Sequence, residues 1–332
     1  MQIIHYSRCR MVPTPSSLAA QLGYLQAEAS RHHEPGIKIE FGDYDHRDDR
    51  YWMRNAASSR SLYARSRGSD AHAVAFSPCE SGDRILVQAD TDIHTAADLR
   101  GRRIALPRIT GRHFDMDRQV FAKVYLTALH KAGLSLDDVR IIDTPFERPR
   151  LRDAPPEPRN FFEVAGEMFL DQLRRGEVDA AVTIVRPVDM TGLREIYSSR
   201  SDDALIARGE LRALLVSGPL LREHRQVVVR LVACLLRAQD WAAAHPVDIP
   251  RLIGQDIGLS AQSLQRREID LLGLTRVSCS QADRHAMQER LTFLRSCGVL
   301  EGNVALDEWI EPTVMVEARE ILATEQSKVS QP

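Results

Sequence analysis

Near the start of the chain a short apolar run, Ile3-Ile4-His5-Tyr6, meets a polar turn, Ser7-Arg8-Cys9-Arg10, that ends before Pro13. Ser16 and Ser17 then open a segment with Leu18, Leu22 and Leu25 at helical spacing. The pattern predicts a strand, a loop at its carboxyl end and a helix, the opening unit of an α/β domain. Ligands of open α/β sheets bind outside the carboxyl ends of the strands. Cys9 is therefore predicted to stand where a ligand would lie.

The rest of the chain continues the alternation. Gly36-Ile37-Lys38-Ile39-Glu40-Phe41 alternates apolar and polar residues and predicts a second strand. Tyr51 to Ala57 carries no clear period, and the arginines at 60, 65 and 67 after it predict a solvated helix face. Ala71 to Phe76 and Arg84 to Gln88 predict buried strands. Thr95 to Leu106 predicts a one-turn helix, a stop at Gly101 and a strand. Asp117 to Ala132 predicts a helix stopped by Gly133, and Ser135 with Asp138 a capping box before the strand Val139 to Ile142. The prolines at 149, 155, 156 and 158 make residues 147–159 a loop. Phe161 to Arg175 returns to helix, Val178 to Ile184 and Leu211 to Ser217 to strand. Beyond these, Glu223 to His245, Pro250 to Ile257, Ser260 to Leu272 and Gln281 to Ser296 are expected to be helical.

Strands alternating with helices point to mainly parallel sheets flanked by helices. Crossings near Ala89 to Leu99 and near Ser198 to Leu211 let a central segment form its own domain. The expectation is a two-lobed α/β protein. Residues 1–98 with 208–325 form one lobe, 99–207 are inserted as the other, and 326–332 are an unstructured tail.

Composition narrows the function. The chain has 332 residues with a net charge of −2, which gives no electrostatic footprint for nucleic acid or an anionic membrane surface. Aromatics at 6% weaken any base-stacking role. No run of roughly 18 apolar residues predicts a transmembrane helix. The first residues carry His5, Arg8 and Arg10 and lack the pattern of a secretory signal, so a cytoplasmic protein is expected. The five cysteines, at 9, 79, 234, 279 and 297, form no C-x-x-C pair, as in a reducing compartment. No Walker loop, G-x-G-x-x-G, G-x-S-x-G or H-E-x-x-H occurs, so no cofactor and no metal is expected. A monomer is the expected state.

Cys79, Cys234, Cys279 and Cys297 fit the role of small buried hydrophobes. Cys9 differs because Ser7, Arg8 and Arg10 surround it, and cationic neighbours tune a thiol's proton affinity.

Two stretches resemble the nitrate, sulfonate and taurine binding proteins of transport systems. They are Ala96-Ala97-Asp98-Leu99-Arg100-Gly101-Arg102-Arg103-Ile104-Ala105 and Leu173-Arg174-Arg175-Gly176-Glu177-Val178-Asp179-Ala180-Ala181. A narrower likeness is to the hydroxybiphenyl-sulfinate desulfinases, enzymes on that periplasmic-binding-protein fold (type II). Tyr6-Ser7-Arg8-Cys9 resembles their catalytic-cysteine segment and Tyr51-Trp52-Met53-Arg54 their sulfinate-binding segment. Val304 to Trp309 with Pro312 is similar to their C-terminal segment. The resemblance implies a catalytic thiol at Cys9, an active-site histidine at His46 and an anion-gripping guanidinium at Arg54. It implies a cofactor-free carbon–sulfur hydrolase that releases sulfite from a sulfinate held between the lobes. Ser7, two residues before Cys9, is expected to donate a hydrogen bond to the anion.

The chain departs from the family at Ala57, an expected substrate-binding position where an active-site glycine is usual, and at Arg47, where an aromatic residue follows the histidine. It departs again near Lys123, where the family has an aromatic wall. The biaryl substrate is thereby disfavoured, while the thiol and guanidinium logic is kept. Two other classes fit the same residues: a non-catalytic solute-binding protein for a sulfonate or carboxylate, and another enzyme on this fold.

Overall fold

The computed structural model describes residues 1–8, 12–31, 36–42, 49–79, 83–108, 116–145, 161–184, 189–199, 210–266, 270–296, 299–300 and 302–329. The chain divides into two compact units. Unit 1 comprises Met1–Cys79, Glu210–Gln262 and Asp270–Pro332, and unit 2 comprises Glu80–Gly209 and Ser263–Ile269.

Unit 1 opens with β1 (Gln2–Ser7), α1 (Pro15–Gln21), α2 (Tyr24–Ala29), β2 (Ile37–Gly42), β3 (Trp52–Ala57), α3 (Ser58–Ser66) and β4 (Ala71–Cys79). Unit 2 follows with β5 (Arg84–Gln88), β6 (Arg103–Arg108), α4 (Met116–Lys131), β7 (Arg140–Pro145), α5 (Phe161–Arg174), β8 (Ala181–Thr183) and β9 (Leu193–Ser198). The chain re-enters unit 1 through β10 (Glu210–Ser217), α6 (Gly218–Glu223), α7 (Arg225–Ala244) and α8 (Ile249–Ile257). Then come α9 (Ala261–Arg266), α10 (Gln281–Ser296), α11 (Leu306–Trp309) and α12 (Thr313–Val329).

The strands of unit 1 form one sheet in the order β2-β1-β3-β10-β4. β1 is parallel to β2 and β3, whereas β10 is antiparallel to both β3 and β4. In unit 2, β5 runs antiparallel between β8 and β9, and β6 is parallel to β7. The α/β class is as the sequence predicts, but the pairing is mixed rather than mainly parallel. The strands on either side of the crossings account for this: β5 leads into unit 2 and β10 leads out of it, and each lies against its neighbours head to tail. β5, which a boundary at residue 98 leaves in the first lobe, pairs with β8 and β9, so the division falls after Cys79.

Local chemistry explains the element ends. Thr14 caps α1 by accepting the Ser17 N–H at 3.2 Å, with Pro15 at the first helical position. Gly23 adopts φ +74°, which splits the predicted first helix into α1 and α2. Gly133 at φ +70° ends α4, and Ser135 and Asp138 form the predicted capping box. Tyr51 to Ala57 and Leu193 to Ser198, to which periodicity assigns no strand, contain β3 and β9. The predicted tail from residue 326 is instead helical to Val329. α12 is already nucleated there, Ser327 Oγ donates to the Ala323 carbonyl at 2.9 Å, and Arg31 and Arg237 both hold Glu325.

The two stretches that resemble the binding proteins meet in unit 2. The Asp179 carboxylate accepts the Arg103 backbone N–H at 2.7 Å and its Nη2 at 2.7 Å, and Ile104 forms a parallel bridge with Ala180. An aspartate after the α5 turn thus fixes the first residue of β6.

Lys123 on α4 lies 3.1 Å from Asp83 at the head of β5, with both side chains buried. Truncating one member of such a pair leaves the other charge buried and uncompensated. Lys123→Met is expected to cost about 3–5 kcal/mol in urea unfolding, and the double variant Lys123→Met with Asp83→Leu to recover most of it.

Candidate functional site

Two adjacent parallel strands of unit 1, β1 and β3, send their chains to opposite sides. β1 continues through α1 and α2 to β2 on one flank, and β3 through α3 towards β4 on the other. Right-handed connections that diverge in this way put their helices on opposite faces of the sheet. α1 lies on the face of Tyr6, whose hydroxyl is 2.7 Å from Ser16 Oγ. Burial pushes that hydroxyl well above the usual phenol range, so it keeps its proton. α3 lies on the other face, where it lines a cleft with Trp52, Arg54 and Ala56 of β3. A crevice therefore opens at the carboxyl ends of β1 and β3, the topological switch point at which α/β sheets bind ligands.

Three of the five expected site residues are described there. Ser7 and Arg54 are register partners across β1 and β3, so their side chains stand next to each other on one face. Ser7 is buried and Arg54 half-buried. Ala57 ends β3 and is the N-cap of α3. As an alanine it offers no side-chain acceptor to the first helical turn. Cys9 and His46 lie outside the described residues.

The arginine beside the cysteine has its own partner. Arg8 Nη1 lies 2.6 Å from Asp256 Oδ1 on α8, with side-chain exposures of 13% and 1%. The charge of Arg8, one of the cations that surround Cys9 in the sequence, is balanced by a carboxylate on the α1 side of the sheet.

Arg60 and Arg65, expected on a solvated helix face, instead border the cleft beneath α3. It has a volume of about 70 Å³, with Trp52, Arg54 and Trp309 also in its wall. Trp309 belongs to the C-terminal segment that carries the family resemblance; it is fully buried and its ring lies 6.2 Å from that of Phe76. Arg212 is a residue the sequence reading misses. It is buried on β10, a register partner of both Ala57 and Ser77, and its Nε donates to Asn55 Oδ1 at 2.6 Å. The signal was present, since Arg212 is the one charged residue within the apolar run Leu211 to Ser217. Among the described residues no group of three His, Cys, Asp or Glu side chains could hold a metal ion.

No family model matches the sequence, and neither does any curated protein. Solved structures do match. The desulfurization enzyme DSZB is 22% identical with a TM-score of 0.72, covering 96% of this chain and 99% of its own. A cysteine-to-serine mutant of DSZB in complex with biphenyl-2-sulfinic acid gives 21% identity, the same coverage and a TM-score of 0.72. The periplasmic aliphatic sulphonate binding protein SsuA from Escherichia coli is 15% identical, with a TM-score of 0.63 over 93% of this chain and 97% of its own. The fold is that of the sulfonate-binding proteins and of DSZB. At these identities the likeness fixes architecture and leaves chemistry to the residues.

Two of the described cysteines, Cys234 and Cys279, are unlike a working thiol. Burial raises Cys234 to about 12 and Cys279 to about 11, and Cys234 Sγ lies 3.5 Å from the Tyr24 carbonyl. At pH 8 their thiolate fractions are then about one in ten thousand and one in a thousand. Iodoacetamide at that pH is expected to leave both unmodified in the folded protein and to label both in urea, as read by peptide mass.

Proposed function

We propose that this protein is a cofactor-free desulfinase of the cytoplasm that cleaves the carbon–sulfur bond of a small organic sulfinate and releases sulfite. The observation that carries this reading is the adjacency of Ser7 and Arg54 at the switch point, with Cys9 two residues further along the chain. A planar guanidinium matches a sulfinate bidentately, and a serine hydroxyl adds one donor beside it. N–H groups at the start of α3, after Ala57, add dipolar stabilisation of an anion.

In the proposed reaction the Cys9 thiol gives its proton to the carbon that bears sulfur. The carbon–sulfur bond breaks, its electron pair is retained by carbon in the new C–H bond, and sulfur dioxide departs. Water converts the sulfur dioxide to hydrogen sulfite and a proton, and that proton restores the thiol. His46 sets the protonation state of Cys9. General acid catalysis of this kind supplies about 10²–10⁴-fold, and desolvation of the anion supplies more. The bound sulfinate of the DSZB complex supports an anion of this class as the ligand.

A second reading is a non-catalytic binding protein for a sulfonate or carboxylate. The sulfonate-binding proteins of the same fold favour it, and Ser7 with Arg54 would serve binding equally well.

The purified protein is to be incubated with aryl and alkyl sulfinates while released sulfite is measured. The desulfinase reading expects sulfite from the wild type, none above background from Cys9→Ser, and ligand binding within about threefold in that variant. Arg54→Gln is expected to weaken binding at least tenfold. Thermal stabilisation by sulfonates without any sulfite from the wild type would establish the binding-protein reading instead.

A further inference from the structure

Arg54 stands between two register partners on one face of the sheet, Ser7 of β1 on one side and Leu215 of β10 on the other. Trp52 and Ala56, two residues before and after it on β3, share that face. The arginine therefore has a polar flank towards β1 and an apolar flank towards β10. The cleft beneath α3 lies on the apolar flank, where Trp52, Ala56, Ala64, Ala71, Leu215 and Trp309 form its wall beside Arg54. All six belong to unit 1, and all but Ala64 are buried. Among the described residues no carboxylate lines this cleft, so an anion on Arg54 meets no like charge there.

Protein interiors keep few voids larger than a water molecule, and cavities that stay empty are apolar throughout. A cleft of about 70 Å³ with a guanidinium in its wall points instead to an occupant that is part ion and part hydrocarbon. We propose that this cleft is the hydrocarbon pocket of the anion site. The charged head of the ligand lies on Arg54 and Ser7, and an alkyl group of two or three carbons fills the space between Trp52 and Trp309. Volume sets the class. A water molecule's share of the liquid is about 30 Å³, and a methylene is of similar size, so the cleft takes two such groups or at most three. A cavity that holds benzene measures about 150 Å³, so an aryl group is excluded. The ligand is then a short-chain alkyl sulfinate, or the matching sulfonate if the protein only binds. This assignment rests on the anion-binding part of the proposed function, Arg54 with Ser7, and not on the cleavage of the carbon–sulfur bond.

Sulfonates carry the same single charge as sulfinates and serve as unreactive probes. Methane-, ethane-, propane- and benzenesulfonate are titrated by calorimetry into the wild type, Ala64→Leu and Leu215→Ala, after the melting temperature of each variant is measured. In the wild type each carbon that enters the cleft is expected to tighten binding about fourfold up to propanesulfonate. Benzenesulfonate is expected to bind at least tenfold more weakly than propanesulfonate. Ala64→Leu fills the cleft from α3: ethane- and propanesulfonate are expected to lose their gain, while methanesulfonate stays within threefold of its wild-type affinity and so reports an intact head site. Leu215→Ala widens the cleft and is expected to tighten benzenesulfonate at least tenfold; if that variant does not fold, Ala64→Leu decides. Wild-type affinity that does not vary with chain length, or no binding of any of the four, would overturn the proposal. So would benzenesulfonate matching propanesulfonate, or the wild-type order persisting in Ala64→Leu. The reading of the reaction fails separately. Chain-length-dependent binding with no sulfite from ethanesulfinate supports the cleft assignment and removes only the desulfinase. Sulfite from benzenesulfinate without any chain-length dependence overturns the cleft assignment and leaves the desulfinase standing.

Discussion

The handedness of two connections governs the rest of unit 1. Neither β1 nor β3 has a choice of face for the helix that follows it, because a right-twisted strand leads into a right-handed crossover. Once β2 pairs on one flank and the β3 connection leaves towards the other, α1 and α3 must lie on opposite faces. The crevice is what remains between them. Strand register sets Ser7 beside Arg54 on the face that α3 covers, and Ala57 stands where β3 ends and α3 begins.

Charge is handled differently in the two parts of the chain. Unit 1 pairs Arg8 with Asp256 on one face of its sheet and sets Arg54 beside Ser7 on the other. Unit 2 buries Lys123 against Asp83, a cation and a carboxylate removed from water together.

Much of the architecture was legible in the sequence because its signals are local. The β1 run, the Thr14 and Ser135 caps and the stop at Gly133 all act within a few residues of where they are read. β3 was illegible because both its faces are covered, so its burial shows no period of two. The pairing of β5 with β8 and β9 was illegible for another reason, since pairing depends on partners and not on the strand itself. Of the candidate site, Arg54 came from the family likeness and Ser7 from its spacing to Cys9, and the register of β1 and β3 sets the two side by side. The Arg8 partner was not legible, because Asp256 lies on α8, far along the chain. Arg212 stood in plain view as a lone charge in an apolar strand, but only the register with Ala57 gives it a place.

β10 sits between β3 and β4, yet it is made only after the strands of unit 2. During synthesis the first part of unit 1 therefore waits with β3 as an unpaired edge and β4 detached from its sheet. Unit 2 takes its described strands from within Glu80–Gly209 and only Ser263–Ile269 from later in the chain, so its strand pairs can form first. The sheet that carries the crevice is then sealed by insertion of a late strand into its middle, a step of high contact order and correspondingly slow folding. A nascent chain halted before residue 210 would hold a folded insert on an open host, with sheet edges exposed to other chains.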